Sequence, residues 1–171
     1  MALRSAVVGA GVVSERHLSG LERNPRTDLV AVCDRAADRA RDKALKYGIK
    51  SYRDLDDLLA EEDLDWLHVC TPVATHVPLA LDAIDAGVPC LIEKPVAETV
   101  AEVEELQAAS QQADVPVSVV HNHRFDPVMR KLRDRIDRGR LGELRGVDLL
   151  YTGSTPPDTP NRGSWAFDLL G

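Results

Sequence analysis

The stretch Ala6-Val7-Val8-Gly9-Ala10-Gly11-Val12-Val13-Ser14 decides the fold of this chain. A short, continuously apolar run enters a glycine turn, and residues 14–23 follow with His17, Leu18 and Leu21 at helical spacing. Strand, tight turn and helix in that order is the opening of a dinucleotide-binding unit. The first glycine, Gly9, permits the bend, and the second, Gly11, lets backbone approach a pyrophosphate. The third position needs a small residue for helix-to-strand packing, and Ser14 occupies it. The Ser14 hydroxyl is expected to N-cap the helix near the phosphates, with Val12 and Val13 in the part of the turn that borders the cofactor.

Outward from the turn, residues 29–33 form a second apolar run that ends at Asp34. A carboxylate there accepts hydrogen bonds from the adenosine ribose and repels a 2′-phosphate, so it favours NAD over NADP. Arg35 is the counterweight, since its guanidinium suits adenine or that phosphate. A plain helix N-cap before Ala36 is the competing reading of Asp34.

The alternation then repeats. Strands are expected at 51–52, 66–70, 90–92 and 117–120, and helices at 36–47, 54–60, 75–86 and 97–113. Strands apolar on both faces, alternating with helices, indicate a doubly wound parallel sheet of the Rossmann α/β class over residues 1–121. Residues 122–171 read as the beginning of a second, incomplete α/β domain, with a charged amphipathic helix at 127–138, a strand at 143–152 and a proline-rich loop. A lone strand has no partner within its own chain, so pairing with another copy in a homo-oligomer is expected.

Composition narrows the function classes. A net charge of −7 over 171 residues argues against nucleic acid as a partner, which would need basic residues clustered on one face, and no apolar run approaches the length of a membrane span. The first strand starts too near Met1 to leave room for a secretory leader, so a cytoplasmic location is expected. Cys33, Cys70 and Cys90 lie in or beside apolar runs and form no CxxC pair, which suits small core residues. His121 and His123 are two apart, but no acidic or cysteine ligand is nearby in sequence, so no metal is expected.

Several motifs together resemble the glucose-fructose oxidoreductase, inositol dehydrogenase and rhizopine-catabolism (Gfo/Idh/MocA) family. They are Gly9-Ala10-Gly11 with His17 downstream, Thr71-Pro72-Val73-Ala74-Thr75-His76, Glu93-Lys94-Pro95 and His121-Asn122-His123-Arg124-Phe125. The resemblance implies NAD(P)-dependent hydride transfer to or from a sugar, polyol or related hydroxy compound. It puts Lys94 beside the substrate oxygen and the nicotinamide, and Thr71-Pro72 along the nicotinamide half of the cofactor. Asn122 and Arg124 are expected at the substrate pocket.

Chemistry supports the lysine, because alcohol oxidation needs a group to take or stabilise a proton at the crevice where strands end. Glu93 is expected at the nicotinamide ribose. His76 matches the family's histidine and is carried over with Lys94 as a catalytic candidate; a helix-end histidine satisfied by backbone is the competing reading. In the family, a passage like Trp165 onward leads to an aspartate and histidine that complete the catalytic set. The expectation is therefore an oxidoreductase or its cofactor-binding portion, with a non-catalytic dinucleotide-binding regulator or an inactive fragment as the alternatives.

Overall fold

The computed structural model describes residues 1–148. Six strands form one sheet: β1 (Leu3–Val8), β2 (Thr27–Cys33), β3 (Lys50–Tyr52), β4 (Trp66–Val69), β5 (Cys90–Ile92) and β6 (Val117–Val119). All neighbouring pairs are parallel, in the order β3-β2-β1-β4-β5-β6. The helices are α1 (Ser14–Arg23), α2 (Ala37–Tyr47), α3 (Leu55–Glu61), α4 (His76–Asp85), α5 (Val100–Ala113) and α6 (Pro127–Asp137). The strand order reverses direction between β1 and β4, which makes the carboxyl ends of those strands the crevice of a doubly wound sheet.

The central strands are apolar on both faces because both faces are covered. Ala6, Val8, Ala31 and Cys33 point into one core with Leu58, Leu67, Val69, Ala80 and Ile92. Val7 and Val32 point into the other, with Leu18, Leu21 and Ala44. Each fully buried Val or Leu contributes on the order of 1.5–3 kcal/mol of transfer free energy. All three cysteines are free and buried, and burial pushes the Cys33 and Cys90 thiols up to about 12, which keeps them protonated core residues.

Local signals set the helix ends. Gly48 closes α2 in the left-handed region at φ 66°. Thr99 and Glu102 form a reciprocal capping box at the start of α5, which moves that helix start three residues beyond the expected position at 97. Glu15 of α1 is bonded by Lys43, Lys46 and Tyr47 of α2, and those partners hold its carboxyl down to about 2.

The first compact unit runs Met1–Phe125, and the second begins at Asp126. Within the second, α6 carries the ion pairs Arg133–Asp137 and Arg138–Asp134 at helical spacing. Residues 143–148, the described part of the strand expected at 143–152, do not form a strand; the rest lies outside the described residues.

Gly9 is the tightest of the described glycines. Its φ is +95°, and a Cβ there would sit 2.6 Å from the carbonyl oxygen of Cys70, a backbone atom. At Gly11 an added Cβ meets nothing within 4 Å. Gly9→Ala is expected to lower stability by about 2 kcal/mol or more in urea unfolding. Gly11→Ala should stay within about 0.5 kcal/mol of the parent.

Candidate functional site

The site is built on the carboxyl ends of β1, β2, β4 and β5. Each strand leaves the sheet through a backbone hydrogen bond to a neighbour, which fixes where its loop begins. Gly9 N–H donates to Cys33 O at 2.8 Å, Cys70 N–H to Val8 O at 2.8 Å and Glu93 N–H to Val69 O at 2.9 Å. Beyond Gly9 the turn passes Gly11 and the exposed Val12 and Val13 into the first turn of α1.

Ser14 does not cap this helix. It is fully buried, and its hydroxyl donates to the Gly11 carbonyl at 2.6 Å, while Val13 occupies the N-cap without a side-chain bond. Ser14 is thus the small packing residue that the turn requires, and the hydroxyl serves the turn's own backbone. The first turn of α1 draws its amides onto the loop's own carbonyls, Glu15 N–H donating to Val12 O at 3.4 Å and Arg16 N–H to Val13 O at 3.1 Å.

Asp34 reaches both ways across the turn. Its Oδ2 accepts the Ala10 amide at 2.7 Å, and its Oδ1 accepts the Ala36 amide at 2.8 Å. The cap position of α2 is Ala36 itself, so Asp34 holds the glycine turn and the entrance to α2 rather than capping the helix directly. Each carboxylate oxygen keeps a second acceptor lobe. Arg35 beside it is exposed.

His76 is corrected most. Only 1% exposed, it has Nδ1 2.9 Å from Pro95 O and Nε2 2.7 Å from Thr71 O. Both ring nitrogens face protein carbonyls, to one of which a neutral ring donates, so buried His76 packs between the Thr71-Pro72 loop and the Glu93-Lys94-Pro95 loop with neither nitrogen turned to the open crevice. Thr71 itself is half-buried and Pro72 exposed, at the mouth of that tie.

Glu93 is also engaged within the protein. Its Oε1 lies 3.0 Å from His17 Nε2, and its Oε2 accepts the Lys94 amide at 3.0 Å. Both oxygens are oriented by protein donors, which gives Glu93 a positioning role, and each keeps a second acceptor lobe as in Asp34. The Lys94–Pro95 peptide is cis. The Lys94 side chain is exposed and borders an open cavity of about 440 Å³ with Arg16, His121, Asn122 and His123. Lys94 and Asn122, far apart in sequence, are thus brought together, with Arg16 added from α1.

Sequence reading passed over His68. It lies on β4 between Leu67 and Val69, and its Nδ1 is 2.9 Å from the Nδ1 of His17. The one available signal was a polar residue inside an apolar strand.

Three comparisons with known proteins bear on this geometry. A family model described as an oxidoreductase family with an NAD-binding Rossmann fold matches residues 3–121. The chain is 34% identical over 140 residues to a 4-carboxy-2-hydroxymuconate-6-semialdehyde dehydrogenase of Sphingobium sp. (strain NBRC 103272 / SYK-6), covering 81% of this chain and 44% of that protein. It is 31% identical over 160 residues to an inositol 2-dehydrogenase of Rhizobium meliloti (strain 1021), covering 94% and 47%. The WlbA dehydrogenase from Bordetella pertussis, solved with NADH and UDP-GlcNAcA, superposes with a TM-score of 0.77 at 26% identity, over 83% of this chain and 44% of that one. The chain spans about half the length of the curated relatives it matches. No helix among the described residues is long and apolar enough to cross a membrane.

Burial, and then the neighbouring His17, lower His68 from 6.5 to about 4. A ring that stays neutral in the fold but takes a proton once unfolded makes the native state bind fewer protons between those two values. Stability from this ring is therefore full above about pH 6.5 and is lost as pH falls toward about 4, by on the order of 3 kcal/mol. His68→Leu should flatten that part of the profile, so that the difference in melting temperature between pH 7 and pH 4.5 is smaller than in the parent.

Proposed function

The chain belongs to the Gfo/Idh/MocA oxidoreductase family, and we propose on that premise that it binds NAD and supports hydride transfer to or from a hydroxyl-bearing carbon of a sugar, polyol or related compound. The observation that carries this reading is the convergence of Gly11, Asp34 and Lys94 at the carboxyl ends of strands in one parallel sheet. That is the crevice in which doubly wound sheets bind ligands.

The residues fit a dinucleotide. Space stands open over Gly11, where backbone can meet a pyrophosphate closely at the positive end of α1. Asp34 presents a carboxylate already fixed by two amides, whose remaining acceptor lobes suit ribose hydroxyls and whose charge disfavours a 2′-phosphate. NAD supplies the hydride acceptor when bound. Lys94 has the part that remains: its amine meets the substrate oxygen and holds the hydroxyl proton in the oxidising direction, returning it in the reverse. His76 and Glu93 keep the loop that carries Lys94 in place, and Asn122 supplies a polar group beside it, whereas Arg124 lines the separate cavity with Ser5 and Trp66. The sugar and polyol classes follow from the inositol and UDP-sugar relatives.

Fluorescence titration with NADH and NADPH tests the cofactor assignment, with NADH expected to bind more tightly. Gly11→Ala should weaken NADH binding by about tenfold or more while leaving the fold intact, since a methyl enters the space left for the pyrophosphate. In an absorbance screen of sugars and polyols, Lys94→Ala should lower turnover by about a hundredfold or more with NADH affinity kept. Failure of both dinucleotides to bind would sink the assignment.

A further inference from the structure

Two histidines outside the proposed chemistry line up behind Glu93. His17 comes from α1, close after the glycine turn, and His68 from β4. The His17 and Glu93 side chains are only 9% and 15% exposed. The two histidine rings meet edge to face at 88°, with centroids 5.2 Å apart. Their Nδ1 atoms are 2.9 Å apart, a separation that requires one proton between them: none would oppose two lone pairs, and two would collide. At the other end of His17, Nε2 faces Glu93 Oε1 at 3.0 Å, and an ionised carboxylate only accepts.

We propose that His68, His17 and Glu93 form a directed hydrogen-bond chain, His68 donating to His17 and His17 to Glu93, which positions the backbone of Lys94. This is the direction in which neither buried ring needs to carry charge, so it avoids the cost of a desolvated imidazolium. The chain ends where it matters for the lysine, because Glu93 Oε2 accepts the Lys94 amide at 3.0 Å. It begins at a ring that also lines a separate cavity of about 590 Å³ with Ser5, Trp66, Leu91 and Ser118.

Apolar side chains at 17 and 68 would pack between helix and sheet without the desolvation that two imidazoles incur. Their gain is a fixed Glu93: the helix that opens at the glycine turn and the loop bearing Lys94 become one body. His76 fixes the other flank at Pro95 O, 2.9 Å away. His17 and His68 are therefore positioning residues. Their importance for turnover rests on the proposed role of Lys94, whereas the hydrogen-bond chain itself does not.

The chain is tested by nitrogen-15 NMR on the labelled protein without cofactor. Long-range proton–nitrogen correlation should show His68 as the Nδ1–H tautomer and His17 as the Nε2–H tautomer. A nitrogen–nitrogen coupling should cross the Nδ1–Nδ1 hydrogen bond. His68 found as the Nε2–H tautomer, or no coupling, overturns the proposal.

Positioning is read at the Lys94 amide. Its exchange should accelerate about tenfold or more in His17→Leu and return close to the parent rate in His17→Gln, whose amide reaches the place of Nε2. Equal rates in parent, Leu and Gln variants overturn the positioning role. Should His17→Leu not fold, His68→Leu serves, with faster Lys94 exchange expected and an unchanged rate counting against the proposal. Because no dinucleotide is present, a failure of NADH binding would defeat the proposed function and leave this result intact.

Discussion

At Gly9 two strands of backbone approach so closely that no side chain fits between them, and the rest of the site depends on that contact. A Cβ at this position would meet the Cys70 carbonyl carbon at 2.7 Å as well as its oxygen. The close approach lets β1 end against the start of the loop after β4, and it turns the chain directly into α1. Because α1 starts there, His17 falls beside β4 and reaches Glu93 after β5. One absent methyl group thus sets the place of a helix, and the helix sets the place of a carboxylate 76 residues away.

Opposite ends of the sheet solve different problems. Near the strand amino ends, Glu62 is almost fully buried and takes bonds from Arg4 at 3.0 Å, Lys50 at 2.5 Å and Tyr52 at 2.7 Å. The bonds from Lys50 and Tyr52 hold its carboxyl below the usual range, against the opposing effect of burial. That cluster ties β1, β3 and the segment after α3 with every group satisfied, and it presents no reactive side chain to a crevice. At the carboxyl ends the polar groups are also satisfied, yet they surround one exposed lysine. No buried side-chain nitrogen or oxygen among the described residues lacks a partner, so the difference is one of arrangement and not of completeness.

The strands and their order follow from signals that sequence carries locally. Apolar runs at 6–8, 29–33, 66–70 and 90–92, each followed by a helical period, imply parallel strands covered on both sides, and the sheet is of that kind. The turn glycines and Asp34 are legible for the same reason, as residues with a required place relative to a strand end, whereas Glu93-Lys94-Pro95 is legible through the resemblance to the family. What escaped were partners across the chain. His76 reads as a reactive histidine until Thr71 O and Pro95 O are found at its two nitrogens, and the positioning of Glu93 shows only when His17 is found opposite. His68 carries no motif at all, and its meaning lies in a contact 51 residues distant. Ser14 failed on a smaller scale, where competition between a helix amide and the Gly11 carbonyl for one hydroxyl was decided by burial.

The arrangement around Lys94 explains why its own side chain has so few partners while its neighbours have many. In the proposed role, a group that meets an incoming oxygen cannot be bonded to the protein at its tip without a cost on each encounter, yet an unrestrained loop would lose the entropy of ordering at the same moment. The chain separates the two demands by residue. Glu93 is oriented through its carboxylate and Pro95 through its carbonyl, each by a histidine held in a different helix, His17 in α1 and His76 in α4. The residue between them keeps a free amine on a fixed backbone. Loss of either histidine therefore reaches Lys94 through its main chain, and a lysine still present in sequence would no longer be present at the right place.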